Sequence, residues 1–256
     1  MKNDKSKNII IALLVIIIII LVTLLVLFAT NIISFKSIDK NDTQSTENNI
    51  NDNIDNNEIS NDEMYSSIIT EYKNAINDTT IESDYSIISE KYKNVNETIV
   101  RYYHTYHAQK FSYSYFDIDS NGIDELIISE SGSGTYIVID VFTYNGANAI
   151  KLIDEKSLGD RSSLQIWNNG ILYLKGSGGA SEGSLTFSKI NNDGFSNEII
   201  NDYFYRYDNS NDITFFDDVN ETNKLSFSSI SEVESVHLSG ASLVDMNTLE
   251  WNNINT

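Results

Sequence analysis

The hydrophobic pattern changes character three times along the chain. From Ile9 to Ala29 it is an unbroken apolar run in which only Thr23 is polar. About 21 residues at ~1.5 Å each span a ~30 Å hydrocarbon core, so this stretch reads as a transmembrane helix. The second pattern has helical period. Ser60-Asn61-Asp62-Glu63 has capping-box spacing, and Tyr65, Ile68, Ile69, Tyr72 and Ile76 then fall on one helical face. A second helix is predicted from Ser83 or Asp84, with Ile88, Tyr92, Val95, Ile99, Tyr102 and Tyr106 as its apolar stripe. At Phe111 the period drops to two. Phe111, Tyr113 and Tyr115 alternate with Ser112 and Ser114, and Tyr136–Tyr144 is a β-branched, aromatic run. Four pairs lie between apolar segments: Asn121-Gly122, Asn145-Gly146, Asn169-Gly170 and Asp193-Gly194. Each is a strong hairpin signal, and together they predict an antiparallel meander of roughly six to eight strands. A short helix is expected near Ser229–Val236, and Leu243–Trp251 reads as a closing segment docked by Leu249 and Trp251. The fold class is therefore α+β, with a transmembrane helix, a disordered tether, and two helices packed on an antiparallel β meander.

Charge orients this plan. Lys2, Lys5 and Lys7 precede the apolar run, while Lys36 and Lys40 beyond it are offset by Asp39 and Asp42. Positive charge stays inside, which makes residues 1–8 a cytoplasmic tail and sends the remainder outside the cell. No A-x-A-like site follows the run, so residues 9–29 read as an uncleaved signal anchor. Residues 30–61 are rich in Asn, Asp, Ser and Thr without hydrophobic period, the composition of a disordered acidic linker. Residues 62–110 form the helical hairpin and 111–256 the β-rich domain, the two making one globular unit. Of the chain's 256 residues 37 are acidic and 17 basic, for a net charge of −20. That balance excludes nucleic acid as a partner and disfavours docking on an anionic lipid surface. The chain has no Cys, which excludes disulfides, thiolate metal sites, a thiol nucleophile and a lipid-modified cysteine.

The sharpest chemistry lies in the first hairpin, Asp117-Ile118-Asp119-Ser120-Asn121-Gly122-Ile123-Asp124-Glu125-Leu126. Oxygen ligands at positions one, three and five, a turn glycine at six, a carbonyl at seven and a carboxylate at nine form the front of a calcium loop. The expected ligands are Asp117, Asp119, Asn121, the Ile123 carbonyl and Glu125, with Asp124 facing outward. Position twelve is Ile128 and not a bidentate Glu, so the pattern is no full EF-hand and predicts a weak Ca²⁺ site, on the order of 10⁻⁴–10⁻³ M. The alternative is an ordinary polar turn built on Asx hydrogen bonds.

The stretch FDIDSNGIDELII resembles the single D-x-D-x-N-G-x-x-E-L hairpin of surface proteins and lipoproteins from low-GC Gram-positive bacteria. It is also similar to the calcium loops of FG-GAP and dockerin repeats. Leu158–Leu174 and Gly176–Ile190 fit the same surface-protein group, extending the likeness over residues 111–256. The resemblance implies a calcium-loop, β-rich domain held outside the cell, and it brings no activity with it. Two departures stand out. The motif occurs once, which argues against a propeller or a duplicated dockerin. The lipobox Cys is missing, so the apolar helix must serve as the anchor.

Catalytic patterns are thinner. Gly179-Ala180-Ser181-Glu182-Gly183 satisfies G-x-S-x-G, and Asp202 or Asp208 followed by His237 gives a triad order. A nucleophile elbow needs a strand and then a helix, however, and here two alternating strands flank the glycines. His104 and His107 are spaced for one zinc-binding face but lack a third ligand. The expected function is a single-pass cell-surface protein with a calcium-stabilised binding or structural module and an extracellular ligand or protein partner. The alternatives are a surface hydrolase using Ser181 or a carboxylate pair, and a membrane-tethered sensor.

Overall fold

A computed structural model describes residues 59–107, 110–132, 135–153, 158, 161–191, 193–208 and 212–254. The chain divides into two units, Met1–Asn56 and Asn57–Thr256. The expected cytoplasmic tail (1–8), membrane anchor (9–29) and all but the last residues of the expected linker (30–61) lie outside the described residues. Among the described residues no helix is long and apolar enough to cross a membrane.

The helical part is more broken than its periodicity predicts. Helix α1 (Asn61–Asn77) opens on the expected capping box, with Ser60 accepting from the Glu63 amide and Glu63 accepting from Ser60. After a 3₁₀ turn (Thr79–Glu82), the second helix, expected as one piece from Ser83 or Asp84, is two: α2 (Ile87–Lys91) and α3 (Glu97–Tyr106). The break lies at Asn94 and Asn96. The Asn94 amide is taken by the Glu71 carboxylate at 2.9 Å, and the Asn96 side chain accepts from Ile99 N at 3.0 Å as the cap of α3. Short amide side chains compete with the helical ladder in this way. The stripe shifts accordingly, and Tyr106 ends 66% exposed.

All four Asn-Gly and Asp-Gly pairs sit in hairpin turns, and Gly122, Gly146, Gly170 and Gly194 all have positive φ, the conformation such turns demand. The meander is not one sheet, however. Strands β1 (Lys110–Phe116), β2 (Glu125–Gly132), β3 (Thr135–Tyr144) and β4 (Ala149–Lys151) form a first antiparallel sheet. Its far edge is β11 (Asn252–Asn253), paired to β1. Strands β5 (Ser162–Trp167), β6 (Ile171–Ser177), β7 (Glu182–Ile190), β8 (Asn197–Tyr207), β9 (Ile213–Phe216) and β10 (Lys224–Leu225) form a second. Helix α4 (Ile230–Leu238) follows, capped by Ser229.

Apolar contacts explain the division. Leu126, Ile128, Ile139 and Phe142 of the first sheet share one cluster with Tyr65, Ile68, Tyr72, Ile99 and Val100 of the helices. On the opposite face, Ile127, Val138 and Val141 join Leu164, Ile166, Leu172 and Ile190 of the second sheet. The first sheet is thus covered on both faces, which is why Leu126-Ile127-Ile128 is a continuous apolar run. The outer face of the second sheet buries Tyr173, Leu185, Phe187, Tyr203 and Phe215 with Val233 and Leu238 of α4. The closing segment docks as expected, with Trp251 stacked on Tyr136 at 4.4 Å and Leu249 against the inter-sheet cluster.

A bulge in β3 carries one consequence. The β2–β3 register slips between Ile128 and Ser129, so Ile139 is an extra residue. Asp140 and Phe142 then lie on the helix-covered side. Asp140 is fully buried there, ion-paired with Lys151 at 3.0 Å and hydrogen-bonded by the Tyr72 hydroxyl. Tyr72 in turn accepts from the Asn96 amide at 2.9 Å. Tyr72→Phe removes the donor to a buried carboxylate and the acceptor of a buried amide. It should cost about 2 kcal/mol, or ~4–8 °C in melting temperature for a domain of this size. Thermal unfolding by circular dichroism checks this; an unchanged midpoint would show that the network contributes nothing.

Candidate metal centre

The loop joining β1 to β2 is fixed at its base by Ile118, which is fully buried in the inter-sheet cluster. Around this anchor the alternation of the sequence turns Asp117 and Asp119 to the same side. Asp117 accepts from the Asn121 and Gly122 amides at 3.0 and 2.9 Å, and Asp119 accepts from the same Asn121 amide at 3.1 Å. Ser120 and Gly122, with φ of 63° and 89°, supply the sharp bend. At Gly122 no neighbour would obstruct a Cβ; the backbone angle alone calls for glycine.

Glu125, the first residue of β2, is fully buried. One of its oxygens accepts from Ile118 N at 2.8 Å, and the other lies 3.2 Å from the Thr143 hydroxyl. A carboxylate oxygen from each of Asp117, Asp119 and Glu125 falls within 4.8 Å of the others. Among the described residues no Lys or Arg is paired with any of the three. Burial drives the Glu125 carboxyl up to about 8, and the nearby charges of Asp119 and Asp117 push the same way against the Ile118 and Thr143 hydrogen bonds. Burial likewise raises Asp119, with the charge of Asp117 adding to it.

Of the five expected ligands the structure therefore gathers three carboxylates. Asn121 stands beside them, but its amide nitrogen donates to Asp119 at 3.1 Å and its oxygen accepts from Ile123 N at 2.7 Å. Asp124 turns away toward α1, accepting from Asn61 Nδ2 through its side chain and from Tyr65 Oη through its carbonyl, both at 2.7 Å. Oxygen-only donors of this kind suit a hard divalent cation.

Two turns of the second sheet complete the surroundings. Gly170 N donates to Ile118 O at 3.0 Å, and a Cβ on Gly170 would sit 3.1 Å from that of Asp119. A Cβ on Gly194 would collide with the Asn121 side-chain amide, and the Gly194 carbonyl accepts from Thr143 Oγ1 at 2.7 Å. Sequence reasoning identified both glycines as turns but not as parts of this site. Their partners are more than 40 positions away in the chain, and no local pattern reports such a meeting.

The other candidates do not assemble. Ser181 lies in the turn between β6 and β7, its carbonyl taken by Tyr207 N at 2.7 Å. His237 is hydrogen-bonded to Tyr203 at 2.8 Å and stacked on Phe187. Phe187 is six residues along β7 from Ser181, roughly 20 Å of strand. Asp202 is engaged by Thr186 at 2.6 Å, and Asp208 by Arg206 and Thr214. Buried His104 donates to the Ala75 carbonyl at 2.8 Å and so ties α3 to α1, while His107 is the left-handed cap of α3. No family model, curated protein or solved structure matches this chain.

The electrostatics give a pH test. Glu125 binds its proton more tightly folded than unfolded, so the stability it contributes is complete below its ordinary range near 4.5 and is lost as pH rises through about 8. In chelator, the unfolding free energy should fall between about pH 4.5 and 8, by up to about 1.4 kcal/mol per pH unit from this group, and the melting temperature should fall with it. Glu125→Gln keeps the shape without the charge and should flatten that dependence. A slope identical to wild type would assign it to other groups.

Proposed function

We propose that this chain is a single-pass cell-surface protein, with residues 1–8 cytoplasmic and the C-terminal domain outside. In this reading the domain is a calcium-stabilised binding or structural module that needs no catalytic machinery. The helical layer α1–α3 lies across the first sheet, tied down by Tyr65 and Tyr72, and the calcium loop occupies the end of that sheet facing the second one.

One contrast carries the metal reading. The first sheet buries two carboxylates completely, Asp140 and Glu125. Asp140 has its cation built in, the Lys151 ammonium at 3.0 Å. Glu125 has two further carboxylates for neighbours and, among the described residues, no side-chain cation. A bound Ca²⁺ supplies the missing charge and fixes the register at which β1 leaves the loop and β2 begins. A site without a bidentate twelfth ligand binds at about 10⁻⁴–10⁻³ M, useful where calcium is millimolar and useless in cytosol, which agrees with an external domain. The likeness to low-GC Gram-positive surface proteins supports the same placement and rests on the hairpin residues themselves.

Thermal unfolding of the full-length protein in detergent tests the metal. At ten times the dissociation constant the linkage is roughly 1.4 kcal/mol, or about 3–5 °C. The protein should melt that much higher in 5 mM Ca²⁺ than in EDTA, with Mg²⁺ far less effective. Asp119→Ala should abolish the difference, while Asp124→Asn should keep most of it. Equal melting of wild type in both buffers would reduce the loop to a polar turn.

Topology is tested separately, and the absence of native Cys makes it simple. Cys placed at Ser45 should react with a membrane-impermeant maleimide on intact cells, and Cys at Ser6 should not. Labelling at Ser6 alone would reverse the orientation and remove the calcium argument built on it.

A further inference from the structure

Thr143 is fully buried on β3, and its hydroxyl stands between two acceptors that belong to different sheets. Gly194 O, in the β7–β8 turn of the second sheet, is 2.7 Å away, and Glu125 Oε1, in the calcium-type loop of the first, is 3.2 Å away. A hydroxyl carries a single proton and can satisfy only one of them fully. Neither acceptor reaches solvent, so whichever oxygen loses the proton is left short of a partner in the interior. The turn on the far side is itself a compact hydrogen-bonded unit: Gly194 N donates to Asn191 O at 2.8 Å, Asn191 N to Ser196 O at 2.8 Å, and Phe195 N to Asp193 at 2.9 Å.

We propose that Thr143 is a switch donor coupling the state of the 117–125 loop to the order of the β7–β8 turn in the second sheet. The trigger rests on the calcium reading above; the contact through Thr143 does not. With a cation on the loop, Glu125 directs its charge to the metal, the Thr143 proton belongs to Gly194, and the turn is held against the first sheet. Without one, the ionised Glu125 oxygen competes for that proton and the Gly194 carbonyl loses its share. A second hydrogen bond between loop and second sheet, Gly170 N to Ile118 O at 3.0 Å, is shared within its own turn with Trp167 O at 3.2 Å, and it involves neither Glu125 nor Thr143. Occupancy of the loop is thereby transmitted across the inter-sheet cluster to a surface turn of the other sheet.

Hydrogen exchange read by mass spectrometry on the full-length protein in detergent tests this, comparing 5 mM Ca²⁺ with EDTA. In wild type, calcium should slow exchange about tenfold in peptides covering 117–125 and also in those covering 194–196. In Thr143→Val, calcium should still slow the loop but leave 194–196 unaffected, and Thr143→Ser, which restores the hydroxyl, should restore the coupling. A calcium response at 194–196 that survives in Thr143→Val overturns the proposal, as does a wild-type response confined to the loop. Should calcium alter neither segment, the calcium reading fails and takes the trigger with it. Thr143→Val in EDTA then decides the coupling itself: faster exchange at 194–196 retains it, and unchanged exchange overturns it.

Discussion

Burying a carboxylate in a sheet that is covered on both faces leaves it no water to lean on, and the protein meets this constraint twice. At Asp140 the answer is complete within the chain: Lys151 on the neighbouring strand, Tyr72 from α1, and behind Tyr72 the amide of Asn96 at the start of α3. One acidic side chain thereby ties two helices, α1 and α3, to the first sheet. At Glu125 the answer is incomplete, with a backbone amide and a shared hydroxyl set against two more carboxylates. The difference separates a group whose charge is settled at folding from one that still depends on what the solution supplies.

Much of this arrangement is legible in the sequence. The turns are, because Asn-Gly and Asp-Gly are chosen for a backbone angle that few other pairs tolerate, and all four adopt it. The start of α1 is, because its cap is a four-residue covalent neighbourhood. The three carboxylates of the loop are also legible, since alternation in a tight turn forces them together. Ser60 and Gly122 act through groups within five residues of themselves.

What could not be read is what depends on distant partners. The hydrophobic stripe of the second predicted helix was real, but Glu71 reached across from α1 to take Asn94 and helped end the helix early. The meander divided into two sheets because Ile127, Val138 and Val141 needed a cover that the helices, already spent on the other face, could not give. Hairpin signals specify which strands are neighbours and are silent on which sheet owns them. Thr143 had no signal at all: in sequence it is one polar residue in an aromatic run, and only the fold sets it between two sheets.

The edges of the sheets bear on how such a domain survives at high concentration. An exposed strand edge invites another chain to add itself. The first sheet ends in β11, of two residues, and β4, of three; the second ends in β10, of two. The longer edge β5 is closed at one end by Leu243 and Val244, which bridge Trp167 and bond Ile166. Where β8 runs on past β9, the uncovered stretch carries exposed Ile199 and Ile200, and Glu198 and Asp202 flank them, so two copies laid side by side there would bring four carboxylates together. Built this way, most sheet edges are too short to template another strand, and the long one that remains, on β8, sets like charges against any copy that would add to it.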